Sequence, residues 1–209
     1  MDWTFNSILF DEIDANLVYQ KDYKDNDINW PNQNFERSEY AILWHLNTSE
    51  KILKQIPKSD NLKFLQLNWG NITDFKEVTE RFSQLKRLEF QCCIKLLNDD
   101  FLDLLSESLE NLHILKSKKF VAGENLLKLK KLKILRLNEC GPIQSLDFLK
   151  NFPNLEDFRF INTNILDGNL KPILEHPTIK TVGFLNKRHY NIKDVEMENL
   201  LEEKFKNIF

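Results

Sequence analysis

Arginine, histidine, cysteine and acidic side chains supply whatever chemistry this chain could carry, so their spacing comes first. Arg136 and Arg159 stand 23 residues apart, with Glu139 and Asp157 between them. Arginine presents a planar fork that grips a carboxylate through two hydrogen bonds. Two such forks held side by side would suit an acidic group on a partner. His45, His113, Cys92, Cys93 and Cys140 are side chains of the kind that hold a metal. The sequence contains no glycine-rich phosphate loop, no G-x-S-x-G and no H-E-x-x-H. Asp22 to Asp27 is a polar, acidic run, but it lacks the central glycine and the glutamate at the twelfth place that a calcium loop needs.

Whether any of these groups meet depends on the elements that carry them, and those elements repeat. Leu132-Lys133-Ile134-Leu135-Arg136-Leu137-Asn138-Glu139-Cys140, followed by Ile143, reads L-x-x-L-x-L-x-x-C with an apolar residue shortly after. The same frame starts again at Leu62, Leu85, Leu109, Leu155 and Ile179, always 23 or 24 residues on. A degenerate first copy is read at Ala41, Trp44, Leu46 and Ser49. Spacing and period agree independently, and a chance pattern does not hold register over six copies.

Over residues 40–190 the chain resembles the leucine-rich-repeat family. The resemblance implies an α/β solenoid: a curved parallel sheet on the concave side, short helices or turns on the convex side. Each x-L-x-L segment is then a short strand whose leucines point inward. One repeat cannot bury that edge alone, so neighbours stack around a shared core. Phe101, Leu104, Leu105, Leu146 and Leu149 are expected as the convex part of that core. The ladder position, usually asparagine or cysteine in the family, holds Gly70, Cys93, Ser117, Cys140, Thr163 and Lys187. Gly70 and Lys187 cannot bond the turn backbone in the usual way, so local irregularity is expected near them.

The frame sends the non-leucine strand residues to the concave face. The central column is expected to be His45, Gln66, Glu89, His113, Arg136, Arg159 and Gly183. Asn47, Asn68, Gln91, Leu115, Asn138, Ile161 and Leu185 form the column beside it. Leu43, Phe64, Arg87, Asn111, Ile134, Asp157 and Thr181 form the third, with Trp69, Lys116, Glu139 and Asn162 beyond the strand ends. His45 and His113 then lie three strands apart, roughly 14 Å at ~4.8 Å per strand, too far to share a metal. Cys93 and Cys140 fall at ladder positions, which accounts for them structurally. Glu139 and Asp157 lie towards opposite ends of neighbouring strands and do not make a carboxylate pair. No enzyme, metal or cofactor is expected. Arg136 and Arg159 become direct neighbours, a like-charge contact relieved either by Glu139 or Asp157 or by a partner's carboxylate. Phe64, Trp69, Leu115, Ile134, Ile161 and Leu185 add apolar groups to the same face, as binding surfaces do.

The ends are expected to be capped. Val195, Met197, Leu200, Leu201, Phe205 and Ile208 recur at helical spacing, which predicts a capping helix within 191–209. Residues 1–38 are read as an N-terminal cap with an acidic loop, and 39–190 as the repeats. Trp3, Phe5, Ile8, Leu9, Phe10, Ile13 and Leu17 are apolar enough to dock on the first repeat.

The totals narrow the partner. Net charge is −3, and residues 1–38 hold eight acidic against three basic side chains, a balance of −5 that leaves +2 for the remainder. A nucleic-acid binder would show a basic stripe, and none is seen; the concave face is mixed in sign. No apolar run approaches the ~20 residues that span a bilayer, no secretory signal is visible, and three cysteines suit a reducing compartment. A cytoplasmic protein, monomeric when free and acting on neither membrane nor nucleic acid, is the expectation. The resemblance implies protein binding through the concave face, at His45, Phe64, Gln66, Trp69, Arg87, Glu89, His113, Leu115, Arg136, Asn138, Arg159 and Ile161. Small leucine-rich-repeat proteins without a catalytic appendage look like inhibitors or adaptors. The Asn, Lys, Ile and Phe bias suits an AT-rich bacterial genome, where some of them are immunity proteins that neutralise a cognate toxin. A basic toxin would be drawn to the acidic N-terminal region. An intracellular adaptor or scaffold is the alternative.

Overall fold

The fold is taken from a computed structural model, which describes residues 13–24, 34–46, 56–73 and 75–206. Among the described residues eight short strands form one open parallel sheet in chain order: Val18–Asp22 (β1), Tyr40–Trp44 (β2), Phe64–Asn68 (β3), Arg87–Gln91 (β4), Asn111–Leu115 (β5), Ile134–Asn138 (β6), Asp157–Arg159 (β7) and Thr181–Gly183 (β8). Between them run short helices, Lys76–Thr79 (α1) and Lys171–Glu175 (α2), and tight helical turns at Asp100–Leu105, Leu126–Lys128 and Asp147–Asn151. Asp194–Lys206 (α3) follows the last strand. The architecture is α/β and compatible with a solenoid.

The strands form where leucine and phenylalanine alternate with polar residues. Leu65, Leu67, Leu88, Phe90, Leu112, Ile114, Leu135, Leu137, Phe158 and Phe160 all point to one side and are buried. There they meet Phe75, Val78, Phe101, Leu105, Leu149 and Ile173 from the helical segments in a single core. Burying one such side chain stabilises by roughly 1.5–3 kcal/mol, so stacking neighbours is what makes each short strand worth forming. Phe75, Phe90 and Phe101 interlock across adjacent repeats, Phe75 meeting Phe90 edge to face at 5.1 Å between ring centres. Of the expected convex core residues Leu104 alone stays out, at 42% exposed, because the helical turn aims it at solvent while Phe101 and Leu105 turn inward.

The register corrects the sequence reading at its start. Ala41 pairs with Leu65 and Leu43 with Leu67, so β2 runs three residues earlier in the frame than expected. Ser38 occupies the place a leucine holds in later copies; it is buried and donates its hydroxyl to Asn34 O at 2.9 Å. The column places assigned to Leu43 and His45 therefore belong to Tyr40 and Ile42, and Trp44 takes the one assigned to Asn47. Asn47 itself lies outside the described residues. A second difference is β1, which lies inside the segment read as a cap yet pairs in register with β2, Val18 facing Tyr40 and Asp22 facing Trp44. Trp3, Phe5, Ile8, Leu9 and Phe10 lie outside the described residues.

After each of six strands one residue takes a left-handed backbone: His45, Trp69, Cys92, Lys116, Glu139 and Asn162, all with φ between 53° and 60°. The turn lets the amide of one repeat reach the next, as Trp69 N does to Gln91 O at 2.8 Å and Lys116 N to Asn138 O at 3.0 Å. At the ladder position Thr163 donates to Leu137 O at 2.6 Å and accepts from Cys140 N at 2.9 Å. Cys140 Sγ lies 3.5 Å from Ile114 O in the same way. Gly70 is there because a Cβ would stand 3.1 Å from Cys93 Sγ. In the last repeat Lys187 turns to Asn164, and the Tyr190 hydroxyl replaces the ladder group, donating to Thr163 O and accepting from Ile165 N.

α3 buries Met197 and Leu201 in the main core and leaves Val195 and Leu200 exposed. Its Lys204 reaches back to donate to Leu174 O at 2.8 Å and to His176 O, covering the C-terminal end of α2. Ile208 lies outside the described residues. Among those residues no helix is long and apolar enough to cross a membrane.

Candidate interaction face

The strand residues that point away from the main core form the second face of the sheet, and its columns follow from the register. One runs Val18, Tyr40, Phe64, Arg87, Asn111, Ile134, Asp157, Thr181. The next runs Gln20, Ile42, Gln66, Glu89, His113, Arg136, Arg159, Gly183. From β3 onward these are the columns expected from the repeat frame. At β2 they are not, and His45 sits on the turn instead, its Nδ1 2.8 Å from Asp22 Oδ1.

The face divides into an apolar end and an ionic middle. Val18, Tyr40, Ile42 and Phe64 make a separate small core, with Ile13, Leu17 and Trp44 packed against it. Phe64 is thus buried, and Arg87 lays its guanidinium over the Phe64 ring at 5.7 Å. Arg87 is 2% exposed and Glu89 6%, and the two pair at 2.5 Å within one strand. Residues two apart share a face of a strand, which is what brings them together. Asp157 and Arg159 repeat the arrangement at 2.9 Å in β7, and Arg136 reaches the same carboxylate at 2.9 Å from β6. One anion between two guanidiniums resolves the like-charge contact foreseen for Arg136 and Arg159. Asp157 supplies it.

His113 lies between these clusters. Burial pushes its pKa down to about 4, Glu89 opposes the shift, and Arg136, Arg87 and Arg159 add to it. The ring is therefore neutral at neutral pH. Its Nε2 faces Asn138 Nδ2 at 3.4 Å, and Asn138 Oδ1 accepts from Ile161 N at 2.9 Å, tying β6 to the chain beyond β7.

The expected binding residues consequently separate. Phe64, Arg87, Glu89, Arg136 and Asn138 are buried and hold the face together. Gln66, His113, Leu115, Arg159 and Ile161 are half-buried and lie on alternate strands, β3, β5 and β7, and just beyond β7. Trp69 is 59% exposed at its left-handed turn, and Leu185 is exposed, whereas Ile134 is buried. A face read as open is thus closed over much of its middle by its own ion pairs. The i, i+2 pairs Arg87–Glu89 and Asp157–Arg159 were the signal in the sequence that could have revealed this.

A second ionic feature lies outside the expected set. Just before the strands stand Lys86, Glu110, Lys133, Glu156 and Lys180, and Glu110 accepts from Lys133 at 2.9 Å while Glu156 accepts from Lys180 at 3.1 Å. Among the described residues no group of three histidine, cysteine or acidic side chains is placed to hold a metal ion. Burial pushes the thiols of Cys93 and Cys140 up to about 12. No family model and no curated protein matches this sequence.

Proposed function

We propose that the chain is a leucine-rich-repeat protein that binds another protein through the second, concave face of its sheet. The observation that carries this is the register: strand after strand delivers one side chain per column at fixed spacing, and ion pairs within the face itself fix their positions. A surface fixed in advance loses little side-chain entropy when a partner docks. Gln66, His113, Leu115, Arg159 and Ile161, with Trp69 at the rim, offer the mixed polar and apolar contacts that suit a protein surface.

In this reading the partner is a toxin and the chain its immunity protein, a cytoplasmic inhibitor without catalysis of its own. The balance of −5 in residues 1–38 supports a basic partner, whose capture it would speed. The test is co-expression with candidate toxins from the native organism, after affinity capture by wild type and by Trp69→Ala/Ile161→Ala. One toxin-like protein captured and neutralised by wild type, and released by the variant, supports the proposal. Capture of several members of one assembly without neutralisation would point to an adaptor. The same partner held equally by the variant would remove the concave face from the proposal.

A further inference from the structure

The sheet ends at β8, and among the described residues the outer edge of that strand pairs with nothing. In a parallel strand, successive residues aim their backbone groups to opposite edges. Thr181 N donates to Glu156 O at 3.0 Å and Gly183 O accepts from Phe160 N at 2.8 Å. Thr181 and Gly183 therefore face β7, and the N–H and C=O of Val182 face outward. Such an edge is a template for another extended chain.

What stands beside the edge gives its occupant a charge. α3 leaves a groove of about 270 Å³ against β8, whose lining includes Val182, Phe184, Asp194, Glu198, Leu201 and Glu202, and also Lys180, which pairs with Glu156 at 3.1 Å. The spacing of Asp194, Glu198 and Glu202 puts all three carboxylates on one face of the helix. Asp194 accepts from Asn186 Nδ2 at 2.6 Å and Glu202 pairs with Lys206 at 3.2 Å. The Glu198 carboxylate is exposed and makes no hydrogen bond or ion pair among the described residues. Phe184 and Leu201 are buried and form an apolar floor. Lysine and arginine have the side chains for this place, since their aliphatic stems cover apolar surface while the head stays with the anions.

We propose that the groove between β8 and α3 takes a short, extended, lysine- or arginine-rich segment of a partner protein, its backbone paired with Val182 and its cations set against Asp194, Glu198 and Glu202. A second copy of this chain does not fit, because joining two such edges would bring both acidic rows together. The groove lies at the end of the sheet, so the inference is independent of the concave-face reading and either can fail alone.

The test uses the full chain and three short labelled peptides: one alternating lysine with threonine, one alternating glutamate with threonine, and the lysine peptide N-methylated at alternate amides. The lysine peptide is expected to bind, to weaken as salt rises, and to slow hydrogen exchange at the Val182 amide. Glu198→Lys/Glu202→Lys should weaken it by roughly two- to thirtyfold, the size expected from losing two exposed charge contacts. The N-methylated peptide leaves the protein untouched and should not bind. Equal binding of the lysine and N-methylated peptides would overturn the strand pairing, equal binding of the glutamate peptide would overturn the charge assignment, and no binding of any peptide would overturn the proposal outright. Dimerisation of the free chain with Val182 protected would also overturn it.

Discussion

The stem of Arg159 lies across Gly183, so that a Cβ on the glycine would stand 3.2 Å from Arg159 Cγ and 3.3 Å from Cδ. The missing side chain on β8 is what lets Arg159 lie flat and reach Asp157. Gly183→Val should therefore cost about 1–3 kcal/mol of stability by overpacking, read from urea midpoints. In an Arg159→Ala background the same change should cost clearly less, since the obstructed stem is gone. An undiminished cost there would detach Gly183 from Arg159.

Asp157 accepts from two arginines, one of them 5% exposed. Removing the charge with Asp157→Asn leaves Arg136 buried without that anion, and breaking a buried pair from one side costs about 3–5 kcal/mol. The exposed Lys128–Asp103 pair provides the comparison. Asp103→Asn should move the unfolding midpoint far less, although hydrogen bonding to Lys128 holds the Asp103 carboxyl below its usual range. Equal losses at the two sites would mean that the ionic middle of the face is not structural.

His113 links the same face to pH. Its folded pKa of about 4 lies below the ordinary 6.5, so the unfolded chain takes up the proton first as pH falls. The stability due to the neutral ring is fully present above pH 6.5 and is lost between there and about 4, by about 3 kcal/mol for a shift of that size. His113→Gln should flatten this part of the stability–pH curve. A curve that keeps its slope would assign the effect to another group.

The ladder position offers two hydroxyls with opposite expectations. Thr163 makes two backbone bonds, and Thr163→Val should cost about 1–3 kcal/mol by leaving Leu137 O and Cys140 N unmet. Ser117 is fully buried, and its hydroxyl makes no hydrogen bond among the described residues. Ser117→Ala should be neutral or slightly stabilising in thermal unfolding. A loss at Ser117 equal to that at Thr163 would show a bond not seen here.

Lys116 sits exposed at φ 55°. A left-handed residue with a Cβ is strained by about 1–2 kcal/mol, and glycine is not. Lys116→Gly should raise the unfolding free energy, read from urea midpoints, by up to about 1 kcal/mol after its greater unfolded-state entropy is counted. A drop would indicate that the lysine stem contributes packing.

From β3 to β8 the sheet was legible in the sequence, because buried leucine and phenylalanine recur with little exception. The two strands before it were obscured at single residues. Ser38 stands where a leucine sets the frame, and Ala41-x-x-Trp44-x-Leu46 mimics the pattern three residues late. In β1 only Tyr19 keeps an apolar inward place, while Lys21 faces Leu43. The columns of the face followed from the frame, but their burial did not. Alternation says which way Arg87 and Glu89 point, and not that they close on each other at 2.5 Å. Leu104 was misplaced because a tight helical turn does not hold the period of an α-helix.

Each inner strand pairs with the one before and the one after it, so every step of the sheet closes a loop of nearly the same length. The entropy of closure is then the same toll at each repeat, with no single long-range contact to wait for. At 22 to 24 residues in a chain of 209, the separation between paired strands is about a tenth of the chain, a topology with the kinetics of helical bundles rather than of β-sandwiches. A nucleus formed anywhere along β3 to β7 can grow outward in both directions, and the chain should fold as a zipper whose last teeth are its two ends.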